Sequence, residues 1–236
     1  MSIETIRVRV WDLPVRLFHW TLVLLIAFSW FSGKKGGDWL HWHFLSGYAI
    51  LTLLLFRLAW GFFGSTYARF SHFLHGPKAI LTYLRGRSQA TGFGHNPLGA
   101  LMIVALLALM LLQVVTGLFA DDDIMTEGPF GEWVSDRTRE ILTTIHRIDI
   151  NVILALAGLH VLAAFFYLIV KRENLIGAMI VGWRGVPARD KVQNQTPVRF
   201  ASPMLALALL IAAALIVWGL VSLGWAGGAW MGGDSD

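Results

Sequence analysis

Five long apolar stretches constrain this chain more than any other feature of its sequence. They run from Pro14 to Ser32, His43 to Phe63, Leu98 to Ala120, Ile141 to Val170 and Pro203 to Trp225. Each is long enough to cross a hydrocarbon core, which takes about 20 helical residues. Because backbone polar groups find no water there, these stretches are expected to be helices rather than strands. The sequence therefore predicts an all-α integral membrane helical bundle with five spans.

Composition excludes several other classes of protein. Hydrophobic residues make up 56% of the 236 residues and charged residues 14%, whereas soluble domains carry about 25% charged residues. The chain has no cysteine, which rules out disulfides, thiolate metal sites, iron–sulfur clusters and covalently attached haem. The net charge is +4, but the basic residues lie between the spans. Membrane lipid is therefore the expected partner, and nucleic acid is not.

The loop charges predict an orientation. The N-terminal segment and the loops 64–97 and 171–202 together hold thirteen Lys and Arg residues against four acids, and the other side holds four against ten. The excess of basic residues marks the cytoplasmic side. The N-terminus is thus predicted to be cytoplasmic and the C-terminus periplasmic. Seven of the acids on the outer side lie between Asp121 and Glu140, beside two arginines.

Four histidines lie in or beside the spans, where ionisable side chains are costly and usually functional. His146 and His160 are separated by fourteen residues in the fourth span, which corresponds to about 21 Å along a helix and places them within about 40° of one face. His19 in the first span matches the depth of His160, and His43 in the second span matches that of His146. We call His19 and His160 the inner pair, and His43 and His146 the outer pair. This layout predicts two non-covalent haems, each with two histidine ligands.

Other residues follow the same spacing. Arg57 lies fourteen residues after His43, so it is predicted to share that face at the depth of the inner pair, where haem propionates would balance its charge. Gly47 follows His43 by one turn, and Gly99 and Gly117 share a face of the third span. These glycines are predicted to make room for flat porphyrins.

Alternatives remain at each position. A single histidine in a span can simply donate a hydrogen bond between helices. The glycines can serve close helix packing, and Arg57 can extend its guanidinium to the interface. His72, His75 and His95 lie in a basic loop and are expected to be solvated rather than ligands. His41 is two residues from His43, which turns it about 200° away on a helix, so it is not expected to face the bundle.

Several motifs together resemble a known family. They are Val10-Trp11-Asp12-Leu13-Pro14-Val15-Arg16-Leu17-Phe18-His19-Trp20, His43-Phe44-Leu45-Ser46-Gly47-Tyr48, Phe56-Arg57-Leu58-Ala59-Trp60-Gly61-Phe62, Gly94-His95-Asn96-Pro97-Leu98-Gly99, Thr116-Gly117-Leu118-Phe119, Ile145-His146 and Leu159-His160. Over about residues 6–185 the chain is similar to the prokaryotic cytochrome b561 group, which includes cytochrome b subunits of nickel–iron hydrogenases and thiosulfate reductases. The resemblance implies a bacterial inner-membrane protein with four core helices around two b-type haems, axial ligands at His19, His43, His146 and His160, and a quinone on one side.

The predicted organisation is a four-helix di-haem membrane domain in residues 1–185. Residues 186–236 are predicted to form a linker, a fifth transmembrane helix and a short tail. This fifth span departs from the shortest members of the family, which have four helices.

The expected function is transmembrane electron transfer between the quinone pool and a protein partner. The partner is expected to be a periplasmic cytochrome c or another redox subunit. Together with this partner, the chain is expected to act as a quinone or quinol oxidoreductase. Quinone is expected near the inner pair, beside a rim that includes His95 and Asn96. The acidic loop is expected to attract the protein partner at the outer pair. Two other functions stay open. The chain can be the membrane anchor and electron relay of a larger dehydrogenase or hydrogenase, or a transporter that uses its histidines for metal or protons.

Overall fold

The computed structural model describes residues 5–74, 76–85, 94, 96–122, 126–187 and 197–231. His75 and His95, which are predicted to be solvated, lie outside the described residues, as does Asp123 of the acidic loop. Five helices are long and apolar enough to cross a membrane. They are α1 (Leu13–Lys35), α2 (Trp39–Phe63), α5 (Pro97–Gly117), α6 (Asp136–Ile169) and α8 (Pro203–Met231). The prediction of a helical membrane bundle with five spans is confirmed, and the observed helices differ from the predicted stretches by several residues at their ends.

The shorter elements lie before the first span and between the later ones. They are β1 (Thr5–Arg9), a 3₁₀ turn (Thr66–Ala68), α3 (Phe70–Phe73), α4 (Pro77–Leu84), a second 3₁₀ turn (Gly131–Trp133), α7 (Leu175–Val181) and β2 (Trp183–Pro187). Strands β1 and β2 pair in antiparallel register, with Arg7 opposite Gly185. The sequence pattern did not predict this ribbon. Because β2 extends from Trp183 to Pro187, it crosses the predicted boundary at residue 185, and that division stays a prediction.

Polar residues at the helix ends explain where the spans begin. The Asp12 carboxylate accepts from Val15 N at 2.8 Å at the start of α1, as expected for an N-cap that satisfies free N–H groups. Asn96 does the same for α5, where its Oδ1 accepts from Gly99 N at 2.7 Å. Between α1 and α2 the chain turns at Gly36 and Gly37, whose φ angles of +65° and +54° are backbone conformations that favour glycine.

The chain divides into two compact units, each built from three segments. The first comprises Met1–His19, Arg57–Ala105 and Leu156–Ala206. Within it, Asp12 also accepts from Trp60 Nε1 at 3.0 Å, which ties the start of α1 to the end of α2. Trp60 is fully buried there.

The second unit comprises Trp20–Phe56, Leu106–Ala155 and Leu207–Asp236. Its apolar core takes residues from α2, α5, α6 and α8, and these are Ile50, Leu51, Leu54, Met110, Val114, Ile153 and Val217. Since Val217 belongs to α8, the fifth span is part of this core and not a separate appendage.

Candidate functional site

The structure brings together both histidine pairs that the sequence predicted. In the first unit, the ring centres of His19 on α1 and His160 on α6 are 6.4 Å apart, and the rings are tilted by 55°. In the second unit, the ring centres of His43 on α2 and His146 on α6 are 6.1 Å apart, and the rings are nearly perpendicular at 88°. Each pair therefore joins two different spans through their imidazoles.

These separations can be compared with those of two imidazoles on one iron. A metal–imidazole bond is about 2.05 Å long, and a ring centre lies roughly 1.15 Å from each ring atom, so the two ring centres would be about 6.4 Å apart. Both observed distances are within a few tenths of an ångström of that value. The separation of the rings in each pair is therefore that expected of two imidazoles on one iron.

Backbone carbonyls orient the two imidazoles of the outer pair. His43 Nδ1 lies 2.8 Å from Ser29 O, and His146 Nδ1 lies 2.8 Å from Gln113 O. Since a carbonyl oxygen can only accept, each Nδ1 carries the proton and donates. Each Nε2 is then the nitrogen with a lone pair, which is the tautomer that binds a metal.

The side chain of Gln113 occupies the metal-binding position of one ring. Its Nε2 lies 3.2 Å from His146 Nε2 and donates to it, because Nδ1 already carries the ring proton. Its Oε1 is buried and has no hydrogen-bond partner among the described residues. Binding of an iron at His146 Nε2 would therefore replace the Gln113 contact and require this side chain to turn away.

Two glycines allow the rings of the outer pair to lie flat against neighbouring helices. An ideal Cβ at Gly33 would lie 2.9 Å from His43 Nδ1, and one at Gly117 would lie 2.8 Å from His146 Cε1. Both distances are shorter than real Cβ contacts. Gly117 was predicted to make room for a porphyrin, and the structure places the His146 ring in that space. Gly33 was missed, because no spacing within α1 relates it to His43 on α2.

The other two predicted glycines differ from each other. Gly47 has no atom within 4 Å of its ideal Cβ, whereas a Cβ at Gly99 would contact the Asn96 side chain at 3.3 Å. Gly47 therefore leaves open space beside its helix. Gly99 belongs to the cap of α5.

A cavity of about 450 Å³ opens beside the outer pair, which lies within the size range of cofactor pockets, about 300–1,000 Å³. Both histidines line it, together with Gly47 and apolar side chains from α1, α2 and α5. Polar residues line it as well, and these include Ser29, Lys34, Asp121, Asp122, Thr126, Arg147 and Asn151. The site thus combines an apolar wall, open space at a glycine and two oriented imidazoles.

Arg57 in the first unit is buried, with 4% of its surface exposed. Its Nη1 donates to Ala68 O at 3.2 Å, and its guanidinium carbon lies 5.2 Å from the centre of the Phe70 ring. The loop after α2 therefore covers the guanidinium, and the alternative in which Arg57 extends to the interface stays open. Part of its charge is balanced by Asp12, which interacts with it electrostatically.

The acidic loop carries less unbalanced negative charge than its composition suggested, because an arginine pairs with several of its acids. Arg139 forms ion pairs with Asp121 at 2.9 Å, with Glu127 at 3.3 Å and with Asp136 at 2.6 Å. Three of the seven acids are therefore engaged by one arginine. Glu132 and Glu140 remain exposed.

No group of three or more His, Cys, Asp or Glu side chains that could hold a metal ion occurs among the described residues. A zinc site usually has four protein ligands, or three and a water. Two imidazoles per site are instead sufficient for haem iron, whose porphyrin supplies the other four nitrogens. The pairs thus suit haem better than a bare metal ion.

Comparison with known proteins agrees with this chemistry. The sequence model of the family described as prokaryotic cytochrome b561 matches residues 10–182. A probable Ni/Fe-hydrogenase B-type cytochrome subunit of Rhizobium leguminosarum bv. viciae is 26% identical over 220 residues, which covers 78% of this chain and 91% of that protein. A protein of the same description from Azotobacter vinelandii is 27% identical over 214 residues, which covers 75% and 88%. No solved structure matches the chain significantly. The chain therefore belongs to the prokaryotic cytochrome b561 family, which comprises membrane electron-transfer proteins that bind b-type haem.

Proposed function

We propose that this protein transfers electrons across the membrane between a quinone and a protein redox partner through two b-type haems. His19 and His160 would hold one haem, and His43 and His146 the other. The observation that carries this proposal is the spacing of the imidazoles, 6.4 Å in the inner pair and 6.1 Å in the outer pair. Haem, when bound, supplies one-electron chemistry, and two histidine ligands leave no open position for oxygen or a substrate.

The protein's own groups would keep the ligands in place. The carbonyls of Ser29 and Gln113 hold the outer imidazoles in the tautomer that presents Nε2. Fixing the ligand orientation before binding keeps the reorganisation small. Gly47 would leave room for the porphyrin beside His43. Arg57, which is buried and interacts electrostatically with Asp12, would pair with a propionate of the inner haem.

The sidedness is part of the proposal. The charge bias of the loops supports a bacterial inner-membrane protein with a cytoplasmic N-terminus and a periplasmic C-terminus. The outer pair would then lie near the periplasm, beneath the loop between α5 and α6. The exposed acids of that loop would attract a basic protein partner. Quinone would bind at the end that carries the inner pair.

Haem content tests the ligand assignment. Pyridine haemochrome analysis of the purified protein should give two haems per chain, all extractable by acid–acetone because no cysteine holds them. His43→Ala and His146→Ala should each leave one haem, and so should His19→Ala and His160→Ala. The proposal is wrong if the wild-type protein contains one haem per chain, or if a variant of one pair loses both haems while remaining folded.

A second candidate function is the membrane subunit of a larger oxidoreductase complex. It is favoured by the descriptions of the two relatives, which are named as Ni/Fe-hydrogenase B-type cytochrome subunits. In that case the protein partner would be a stably bound subunit and not a diffusing cytochrome c. Purification in mild detergent from the native membrane distinguishes the two. Co-purification of an iron–sulfur subunit in constant ratio would support the complex, and isolation of the chain alone with full quinol-dependent reduction of cytochrome c would contradict it.

A further inference from the structure

The ribbon of β1 and β2 carries two exposed arginines whose charge no described acidic side chain balances. Arg7 and Arg9 lie in β1, and both side chains are exposed. Neither forms an ion pair with a described residue. Arg184 of β2 differs from them, because it pairs with Glu173 at 2.6 Å. The unbalanced positive charge of the ribbon therefore belongs to β1.

Both arginines lie on the same face of the ribbon. Side chains alternate between the two faces along a strand, and residues directly opposite each other in an antiparallel pair share a face. Arg7 is opposite Gly185, and Arg9 is opposite Trp183. Gly185 has no side chain, so the position across from Arg7 is left open. Trp183 is 49% exposed. We call these four positions the basic face.

Hydrogen bonds and packing hold the ribbon in place. A two-stranded ribbon by itself is marginally stable. Here Val10 N and Trp11 N, directly after β1, both donate to Gly182 O, directly before β2, at 2.9 and 3.2 Å. Val10 is buried, and the guanidinium carbon of Arg9 lies 4.4 Å from the centre of the Phe200 ring. The basic face is therefore a formed surface whose arginines are already placed.

The ribbon lies at the end of a membrane span. Strand β1 ends at Arg9, and α1 begins at Leu13. The Leu13 side chain is exposed, and so are Ile180 and Val181 in α7, just before β2. In a membrane such apolar side chains contact lipid, and tryptophan is enriched at the level of the head groups. The basic face is thus expected to lie beside the phosphates of the bilayer.

We propose that the basic face binds the phosphate of an anionic phospholipid, such as phosphatidylglycerol, through Arg7 and Arg9. The planar guanidinium donates two parallel hydrogen bonds to a phosphate, and basic residues beside a membrane span attract anionic lipids. The Trp183 indole would lie among the head groups, and the lipid chains would contact Leu13. This site goes beyond electron transfer, since it needs neither haem nor quinone.

Lipid binding to the full protein in a non-ionic detergent tests this site. Native mass spectrometry gives the dissociation constant of the first bound lipid in titrations with dioleoylphosphatidylglycerol, and dioleoylphosphatidylcholine is the comparison without net charge. The wild-type protein should bind the anionic lipid more tightly. Arg7→Gln and Arg9→Gln should each weaken this binding by about fivefold, as expected for one basic residue near the surface, and leave phosphatidylcholine binding unchanged. Arg7→Lys keeps the charge without the planar donor group and should lose less.

Arg137→Gln is the matched control, because it removes the same charge from an exposed arginine of α6 in the second unit. It should leave both dissociation constants unchanged. Equal affinity of the wild-type protein for the two lipids would overturn the proposal, and so would unchanged affinity in both ribbon variants. An equal loss in the Arg137 variant would show that net charge sets the preference and not the basic face. Loss of a co-purifying acidic protein from ribbon variants that still bind the lipid would make this face a protein-docking surface instead.

Discussion

The contact between Gly117 and His146 gives the most direct test of how the outer pair is held. Gly117 is the last residue of α5, and an ideal Cβ there would lie 2.8 Å from His146 Cε1 and 3.1 Å from Nδ1. Ordinary contacts begin at 3.4 Å, so Gly117→Ala creates an overlap of about 0.6 Å. The imidazole must move away to relieve it.

Movement of this ring has two costs. Overpacking of a well-packed site typically costs about 1–3 kcal/mol. Shifting the ring also weakens the bond between His146 Nδ1 and Gln113 O, which is 2.8 Å long, and such a bond contributes about 0.5–1.5 kcal/mol. Together these are about 1.5–4.5 kcal/mol, which corresponds to a loss of about 10- to 2,000-fold in affinity for the haem proposed at the outer pair. The gain in helix propensity from glycine to alanine is at most about 1 kcal/mol and is smaller at a helix end.

The rate of haem transfer to excess apomyoglobin measures this effect, because affinity changes appear mainly in the dissociation rate. In Gly117→Ala, the haem proposed at the outer pair should leave faster by at least about tenfold, while the one proposed at the inner pair keeps its wild-type rate. Gly219→Ala is the control, since Gly219 on α8 has open space around its ideal Cβ. Unchanged transfer in the Gly117 variant, or equal acceleration in the Gly219 control, would refute the argument that glycine positions the ligand.

Three other predictions follow from the same structure. His43→Ala should lose one haem, whereas His41→Ala should keep both, because His41 is exposed and His43 lines the cavity. The haem content of each variant is measured as the pyridine haemochrome. Loss of haem from the His41 variant alone would exchange the two assignments. Burial raises the pKa of the Glu127 carboxyl above its ordinary value of 4.5, so the folded state keeps this proton to a higher pH than the unfolded state and loses stability as pH rises above 4.5. The thermal midpoint of Glu127→Gln should therefore rise relative to that of wild type between pH 4.5 and 7, and a difference that stays constant over this range would contradict the shift. Gly224→Ala should destabilise the packing of α8 by about 1–3 kcal/mol, because its Cβ would lie 2.6 Å from a backbone oxygen of the loop between α5 and α6. A thermal midpoint equal to that of Gly219→Ala would argue against this contact.

The fifth span acquires a structural role that its sequence did not indicate. Val217 on α8 is buried in the core of the second unit, and Trp133 Nε1 donates to Gly224 O at 3.2 Å. The close approach of Gly227 to the Trp133 ring adds a second contact with the same loop. Helix α8 therefore supports the loop that carries the acids proposed to attract the protein partner.

The sequence alone determined the spans and the partners within each histidine pair. A bilayer forces apolar stretches of this length into helices, and a helix fixes the rise and rotation between any two of its residues. His146 and His160 on one helix therefore specified two depths, and His19 and His43 could be matched to these depths from their positions along their own spans. The cap of α5 at Asn96 and Pro97 is equally local, so the beginning of that span was predicted within one residue.

The tertiary structure decided what surrounds these residues. Periodicity fixes directions within one helix but not the rotation or sliding of one helix against another. For that reason the carbonyls of Ser29 and Gln113, and the contact of Gly33 with His43, could not be inferred from spacing. The environment of Arg57 depends on the loop after α2, whose path no periodic pattern describes. The hydrogen bonds of the Tyr167 hydroxyl with Tyr83 at 3.1 Å and with Asn96 at 2.6 Å likewise join three distant segments, and only packing of the folded chain brings these polar atoms together.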